Sequence, residues 1–303
     1  MPRAVNSLFP GFNDVIVETG DAELAALTAG SGPALLLLHG YPQTRATWHR
    51  IAPVLAANHS VVVPDLPGYG ESRVAEAAEG LGSKRRMAKC LHAMMKTLGH
   101  DRFTVIGHDR GGRVAYRMAL DFPDSVEALV SVTVVPTPDM WDGAGKAFGM
   151  AAWHWFMMAQ PEPLPEKLMA ADPRFLIDLT LGKMAGGLDK LHPLALEDYR
   201  LAFDRAEVRH MMCEDYRAGA TTDEVDDLAD RDAGRRIAAP MLLFWEEGRR
   251  HGGREPLDIW TGWADTVEGR ALRGGHLPQE TVPDEMLAVL IPFLRKYAGV
   301  TGG

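Results

Sequence analysis

The sequence predicts an α/β fold in which a doubly wound, mostly parallel sheet carries an inserted helical cap. Short apolar segments typical of buried strands alternate with helical segments up to residue 135, which indicates βα units with right-handed crossovers. No convincing strand follows until residue 241. Because that insert is too long for a loop, we assign 1–135 and 237–303 to the core and 136–236 to the cap.

Each predicted element of the core depends on a local pattern. Segments 15–19 and 23–27 flank a Gly-Asp turn signal and suit a hairpin. The run 34–38 is wholly apolar, as expected of a parallel strand buried on both faces. We further expect strands at 60–64, 103–106, 128–135, 241–245 and 266–272, and helices at 47–57, 84–98, 112–122 and 283–296.

Composition and charge exclude several classes of partner. The chain has 303 residues and a formal net charge of −9, which argues against nucleic acid and against an anionic membrane surface. An anionic substrate would need local cationic groups to overcome the repulsion from this negative charge. Cys90 and Cys213 lack metal-ligand spacing and are interpreted as free thiols in a reducing compartment. No secretion signal and no membrane-spanning run is present, so we expect a cytoplasmic protein.

The motif Gly-His-Asp-Arg-Gly at 107–111 carries most of the chemical information. It lies between a strand pattern and a helical one, the setting of a nucleophile elbow, which normally presents serine. Here the elbow presents Asp109, which is already ionised at neutral pH. A carboxylate that displaces a leaving group from saturated carbon forms an ester that water can cleave, whereas serine would form a stable ether. Asp109 therefore indicates displacement at carbon.

Other candidate residues follow from the same topology. His276 comes after the last strand, where the base of this arrangement arrives, and would activate the water that hydrolyses the ester. The backbone amides of Tyr41 and Arg110 are the candidates for the oxyanion hole. Arg110 and Arg113 are one helical turn apart beside Asp109, which suits a substrate carboxylate. The alternative for the two arginines is a structural ion pair.

The chain resembles the fluoroacetate dehalogenase (haloacetate dehalogenase) family of the α/β hydrolases over nearly its whole length. The matching segments are 35–44, 65–70, the elbow at 107–111, and the cap segments 154–155, 159–161 and 212–219. The resemblance implies that His154, Trp155 and Tyr216 bind the departing halide, and their N–H and O–H donors suit that role. It also implies a homodimer. We expect no metal and no organic cofactor, since the chain has no phosphate loop and no metal-ligand cluster.

The chain departs from the family pattern at two positions. Thr133 stands where the family has the acid that orients the histidine, and threonine cannot carry that charge. Glu246 or Glu247, after the next core strand, is the alternative acid, although Arg249 occupies the position where an acid would be expected. Met184 stands where the family tends to have a pocket tryptophan.

These observations predict a dehalogenase that converts a short 2-haloacid, such as fluoroacetate or chloroacetate, to the 2-hydroxy acid through an aspartyl ester. One alternative is an epoxide hydrolase, which shares the Asp–His chemistry but needs cap tyrosines to protonate the opening ring. The other is a catalytically impaired relative that binds small acids, or is alkylated by them, without efficient turnover. Thr133 is the residue that supports this last alternative.

Overall fold

The computed structural model of the protein describes residues 4–75, 78 and 80–299. Within these ranges nine strands form one sheet in the order β1-β2-β4-β3-β6-β7-β8-β9, with β5 paired to β2. The strands are β1 (Asn13–Glu18), β2 (Ala22–Ala29), β3 (Ala34–Leu38), β4 (Ser60–Pro64), β5 (Arg73–Val74), β6 (Phe103–His108), β7 (Val126–Val132), β8 (Met241–Glu246) and β9 (Val267–Leu272).

Neighbouring strands are parallel across β4, β3, β6, β7, β8 and β9, and β1 and β2 form the predicted antiparallel hairpin. Its central strands are buried on both faces. In β3, Leu36 packs into the apolar cluster on one face, whereas Leu35 and Leu37 pack into the cluster on the other. The near-continuous apolar runs of these strands follow from that double burial. The architecture confirms the predicted fold class.

The helices, in chain order, occupy both faces of the sheet and the interval between β7 and β8. They are α1 (Ala52–Leu55), α2 (Lys84–Thr97), α3 (Arg110–Asp121), α4 (Thr137–Asp142), α5 (Lys146–Ala151), α6 (Trp153–Met158), α7 (Leu164–Ala171), α8 (Pro173–Ala185), α9 (Pro193–Phe203), α10 (Ala206–Gly219), α11 (Thr222–Asp232), α12 (Pro256–Trp260), α13 (Pro278–Thr281) and α14 (Pro283–Tyr297). Short 3-10 helices cover Ala4–Leu8, Arg45–Trp48 and Leu188–Lys190. None of the helices in the described ranges combines the length and apolarity needed to cross a membrane.

Two predicted elements differ from the structure. The helix expected at 47–57 is wrong: a 3-10 helix and the four-residue α1 stand there instead. Pro53, in the first turn of α1, has no N–H with which to extend a helix from the turn before it. The strand expected at 128–135 ends at Val132, because Thr133 adopts a left-handed φ of 64°. That conformation turns the chain away from the sheet.

The segment 136–236, for which we predicted a helical cap, forms α4 through α11. Buried ion pairs attach it to the core at the start of α2. The Lys84 ammonium pairs with Asp215 of α10 and, at 3.1 Å, with Asp223 of α11. Asp223 also accepts a 2.7 Å hydrogen bond from the Lys84 amide. The positions of α10 and α11 relative to α2 therefore depend on charged groups that water does not screen.

Glu280 of α13 is a buried carboxyl group between the core and α9. It accepts hydrogen bonds from Gln43, from Thr47 at 3.2 Å and from Tyr199 at 3.0 Å. Burial raises the pKa of Glu280 to about 7, and these hydrogen bonds only partly oppose that effect. A carboxyl group whose pKa is raised by folding binds its proton more tightly in the folded state, so its contribution to stability decreases as the pH rises from about 4.5 to about 7.

Glu280→Gln should remove this pH dependence, since glutamine keeps the shape and carries no titrating proton. We expect the unfolding free energy of the wild type to fall, relative to that of the variant, as the pH rises through this interval. The expected size is about 1.4 kcal/mol for each unit of pKa shift. Urea unfolding at a series of pH values measures it, with the exposed Glu285→Gln as the matched control. A constant difference between wild type and Glu280→Gln would contradict the prediction.

Candidate active site

Asp109 lies at the sharp turn between β6 and α3, with a left-handed φ of 49°. The turn is possible because glycines line it on both sides. A Cβ on Gly107 would lie 2.4 Å from the carbonyl oxygen of Gly111, and one on Gly111 would lie 2.3 Å from that of His39. This close packing forces the Asp109 side chain upward from the sheet, as a nucleophile elbow does.

The two oxygens of the Asp109 carboxylate have different partners. Oδ1 accepts a 2.9 Å hydrogen bond from the Tyr41 amide, and Oδ2 lies 3.3 Å from Nε2 of His276. Burial acts to raise the pKa of Asp109, but the hydrogen bond and the nearby charge of His276 outweigh it and hold the pKa well below its usual range. The structure thus brings together Asp109, His276 and the Tyr41 amide and keeps the carboxylate ionised.

Two residues to which the sequence analysis gave no role in the site hold the His276 loop. His108 donates through Nε2 to the carbonyl oxygen of His276 at 2.8 Å, and the His276 amide donates to the carbonyl of Met184, in α8, at 3.1 Å. Burial lowers the pKa of His108 to about 3, so its ring is neutral and one nitrogen can donate while the other cannot. Because His108 directly precedes Asp109, its position in the elbow is the sequence feature that could have identified it as a site residue.

The candidates for the acid lie apart from His276. Glu247 pairs with Arg273 at 2.8 Å on the surface. Glu246 lines the cavity around Asp109, but neither glutamate has an oxygen within 4.0 Å of a His276 ring nitrogen; of the carboxylates in the described ranges, Asp109 alone does so. Thr133 lines the same cavity, and its hydroxyl is buried without a partner among the described residues. Among the described residues, no carboxylate other than the proposed nucleophile Asp109 is therefore placed to orient His276.

Arg110 is fully buried and is bound by the cap. Its guanidinium pairs with Asp215, through Nε at 2.8 Å, and Nη2 donates to the Asp215 carbonyl at 2.8 Å. Its guanidinium carbon also lies 4.3 Å from the centre of the Tyr216 ring. For Arg110 the structure thus contains a structural ion pair, which was the alternative to a substrate-binding role. Nη1 remains buried and has no partner within the described part of the chain.

Arg113 lines the cavity and has more unsatisfied hydrogen-bonding capacity. Nη1 donates to the Thr137 hydroxyl at 2.9 Å, whereas Nε and Nη2 are buried with no partner in the described ranges. Burial is the main cause that lowers the pKa of Arg113, and the like charge of Arg110 contributes. Buried N–H donors of a guanidinium that lack acceptors are costly, and a bound anion would satisfy them.

The three aromatic residues predicted to bind halide lie together. The ring centre of Tyr216 is 5.6 Å from that of His154 and 5.5 Å from that of Trp155, and the His154 ring stacks on Tyr41 at 5.4 Å. His154 and Trp155 line the cavity with Asp109. The Tyr216 hydroxyl is buried and lacks a partner among the residues described. Burial lowers the pKa of His154 to about 4, so the ring is neutral and keeps one N–H.

The cavity that contains these groups has a volume of about 550 Å³. Exposed cationic side chains stand in its wall and supply the local positive charge that an anionic substrate would need on a chain with net charge −9. These side chains are Lys183, Lys190, Arg249 and Arg273. The described residues contain no group of three or more His, Cys, Asp or Glu side chains arranged to hold a metal ion.

Comparison with known proteins places the chain among the α/β hydrolases. The sequence profile of the α/β hydrolase fold matches residues 33–247. A fluoroacetate dehalogenase from Burkholderia sp. is 40% identical over 95% of each chain. A Pseudomonas aeruginosa protein described as a "putative epoxide hydrolase" is 51% identical, with 95% of this chain and 97% of that chain covered and a TM-score of 0.93. The magnesium-chelatase 30 kDa subunit of Rhodobacter capsulatus is 34% identical over 92% of this chain and 90% of its own.

Proposed function

The chain belongs to the fluoroacetate dehalogenase family of the α/β hydrolases, and on that premise we propose that it is a hydrolytic dehalogenase of short 2-haloacids such as fluoroacetate and chloroacetate. The observation that carries the proposal is the Asp109 carboxylate itself. One of its oxygens accepts a hydrogen bond from the Tyr41 amide, and the other lies 3.3 Å from Nε2 of His276. The site thus holds Asp109, which can attack carbon, beside His276, which can activate water.

In the first step Oδ2 of Asp109 attacks the carbon that bears the halogen. The new C–O bond forms as the C–halogen bond breaks, and the halide leaves with the bonding electrons. Arg113, through its unpartnered Nε and Nη2, and Arg110, through Nη1, would bind the substrate carboxylate. The N–H and O–H donors of His154, Trp155 and Tyr216 would stabilise the departing halide, as its developing charge requires.

In the second step His276 takes a proton from water, and the water oxygen attacks Cγ of the Asp109 ester. The negative charge then develops on Oδ1, which the Tyr41 amide already contacts at 2.9 Å, and the Arg110 amide would be the second donor. When the tetrahedral intermediate collapses, the 2-hydroxy acid leaves with the proton held by His276. The second proton of the water remains on the new carboxyl group and is then lost to solvent, so Asp109 is regenerated as a carboxylate and no cofactor is consumed.

Measurement of halide release tests this proposal against its rivals. With chloroacetate as substrate, we expect many equivalents of free chloride for each protein molecule. A stable adduct after one equivalent would support the impaired relative, which the missing acid at Thr133 favours. Hydrolysis of a neutral epoxide without release of halide from any haloacid would support the epoxide hydrolase, the activity named for the Pseudomonas protein.

Replacement of Arg113 tests whether the substrate must be an anion. Loss of a charged hydrogen-bonded contact typically costs about 1.5–3 kcal/mol, so we expect Arg113→Gln to lower kcat/KM for chloroacetate by about 10- to 100-fold. Neutral chloroacetamide should be a poor substrate for both proteins. Steady-state chloride release checks both expectations, with the exposed Arg231→Gln as control. Unchanged kinetics in Arg113→Gln would give Arg113 a purely structural role.

We also propose a cytoplasmic homodimer. The cap exposes large apolar side chains that a second copy would cover, among them Met150, Phe156, Leu164, Leu168 and Phe175. Both cysteines are free and buried, which suits a reducing compartment. Light scattering coupled to gel filtration should give twice the chain mass, and fractionation of the producing cells should place the protein with soluble cytoplasmic markers.

A further inference from the structure

The cavity around Asp109 is much larger than a haloacetate. Its volume of about 550 Å³ lies within the range of about 300–1,000 Å³ that is typical of sites for drug-sized ligands. Chloroacetate has five non-hydrogen atoms. The groups proposed to bind its carboxylate and halogen account for only part of the wall, so most of the cavity is available to some other portion of a substrate.

Part of the remaining wall is apolar and lies beside the exposed cationic side chains described above. Phe148 of α5 contributes to it, as do Leu179 and Met184 of α8 and Met140 of α4. Leu179 is 50% exposed in the absence of a ligand, so a bound apolar group would remove part of its surface from water. A hydrocarbon chain that packs against these side chains would gain by burial.

The chemistry limits where such a chain can be attached. The reacting carbon carries the carboxylate, the halogen and two further substituents, and Asp109 must approach opposite the halogen. With the carboxylate on Arg113 and the halogen at His154 and Trp155, an added group must come from one of the two remaining substituent positions. Those positions are hydrogen atoms in a haloacetate.

We propose that this site takes 2-haloacids that carry an unbranched apolar chain of several carbons on the reacting carbon. The inference rests on the proposed function, because it assigns the same reaction to a longer substrate. Leu179 and Met184 become residues that determine chain-length specificity. They would not take part in the chemical steps.

A matched substrate series tests the proposal on the wild-type protein. 2-Chloropropionate, 2-chlorobutanoate and 2-chlorohexanoate all react at a secondary carbon, so their intrinsic reactivities are similar. We expect kcat/KM for chloride release to rise with length by up to about fourfold per methylene, from about 0.8 kcal/mol per buried CH₂. A value that is flat or falls along the series would overturn the proposal.

Leu179→Trp should reverse the preference for longer substrates by filling part of the cavity. We expect kcat/KM for 2-chlorohexanoate to fall at least tenfold while 2-chloropropionate changes less than twofold. Leu201→Trp is the matched control, because Leu201 is 53% exposed on α9 and is not part of the cavity wall. An equal fall for both substrates, or no fall for either, would overturn the assignment of Leu179. If wild type releases no chloride from chloroacetate or 2-chloropropionate, the proposed function fails. If it does, but without the length dependence, only this inference fails.

Discussion

Asp109→Asn is expected to abolish halide release from chloroacetate and to leave no covalent adduct. A neutral amide is a poor nucleophile, and no other carboxylate in the described ranges lies within 4.0 Å of His276. Removal of a nucleophile from a catalytic triad leaves only the residual catalysis of binding and oxyanion stabilisation, so we expect kcat to fall by at least about 10⁴-fold. Chloride release and intact-protein mass spectrometry measure the two effects.

Asp124→Asn is the matched control, since Asp124 is an exposed carboxylate in the turn after α3. It should retain wild-type turnover. Mass spectrometry of Asp109→Asn before the assay verifies that the asparagine has not deamidated back to aspartate. Sustained chloride release by intact Asp109→Asn would mean that water attacks the substrate directly and that the ester is not an intermediate.

The second large effect concerns the missing acid. We expect Thr133→Asp to accelerate hydrolysis of the Asp109 ester, because no described carboxylate other than Asp109 is placed to fix the tautomer of His276 and stabilise its charged form. Loss of that acid from a serine-type triad costs about 10⁴-fold, so even partial restoration should be measurable. In the wild type the ester should accumulate during turnover. Rapid-quench mass spectrometry measures its decay.

The backbone at position 133 favours this substitution. Thr133 is β-branched and has a φ of 64°, a conformation that costs such residues about 1–3 kcal/mol. Aspartate adopts left-handed conformations more readily than threonine. Thr133→Asp should therefore fold at least as stably as the wild type, and thermal unfolding provides this control.

Glu246 is the competing source of the acid. It lines the cavity but makes no contact with His276 within 4.0 Å. If it moves into contact during catalysis, Glu246→Gln should stop ester hydrolysis and leave alkylation unchanged, and Thr133→Asp should alter little. Glu247→Gln serves as the comparison, since Glu247 is paired with Arg273 on the surface. If none of the three variants changes the rate of ester decay, both accounts of the acid are wrong.

Local sequence patterns predicted the sheet and the elbow well because their causes are local. Strands buried on both faces, such as β3, require continuous apolar runs, and the glycines at 107 and 111 are required by contacts of the turn itself. The helix predicted at 47–57 is wrong because the apolar pattern took no account of Pro53, which has no N–H with which to extend a helix from the turn before it.

The partners of the site residues were beyond the reach of local patterns. Arg110 is bound by Asp215, 105 positions later, and Lys84 of α2 shares that carboxylate. Met184, noted at first only as a departure from the family, supplies the carbonyl that holds the His276 amide. Such pairings depend on how the cap packs on the core. Order and spacing along the chain nominated Asp109, His276 and the two arginines, and the family resemblance nominated the cap residues, but neither could predict how the hydrogen bonds are distributed.

The central claim is that the reaction passes through an ester on Asp109 that His276 is needed to hydrolyse. Incubation of His276→Ala with chloroacetate, followed by intact-mass analysis and peptide mapping, tests it most directly. We expect one carboxymethyl group per chain, mapped to Asp109, with one equivalent of chloride released and no further turnover. If the wild type turns over chloroacetate but His276→Ala gives no adduct, or an adduct on another residue, the account is contradicted.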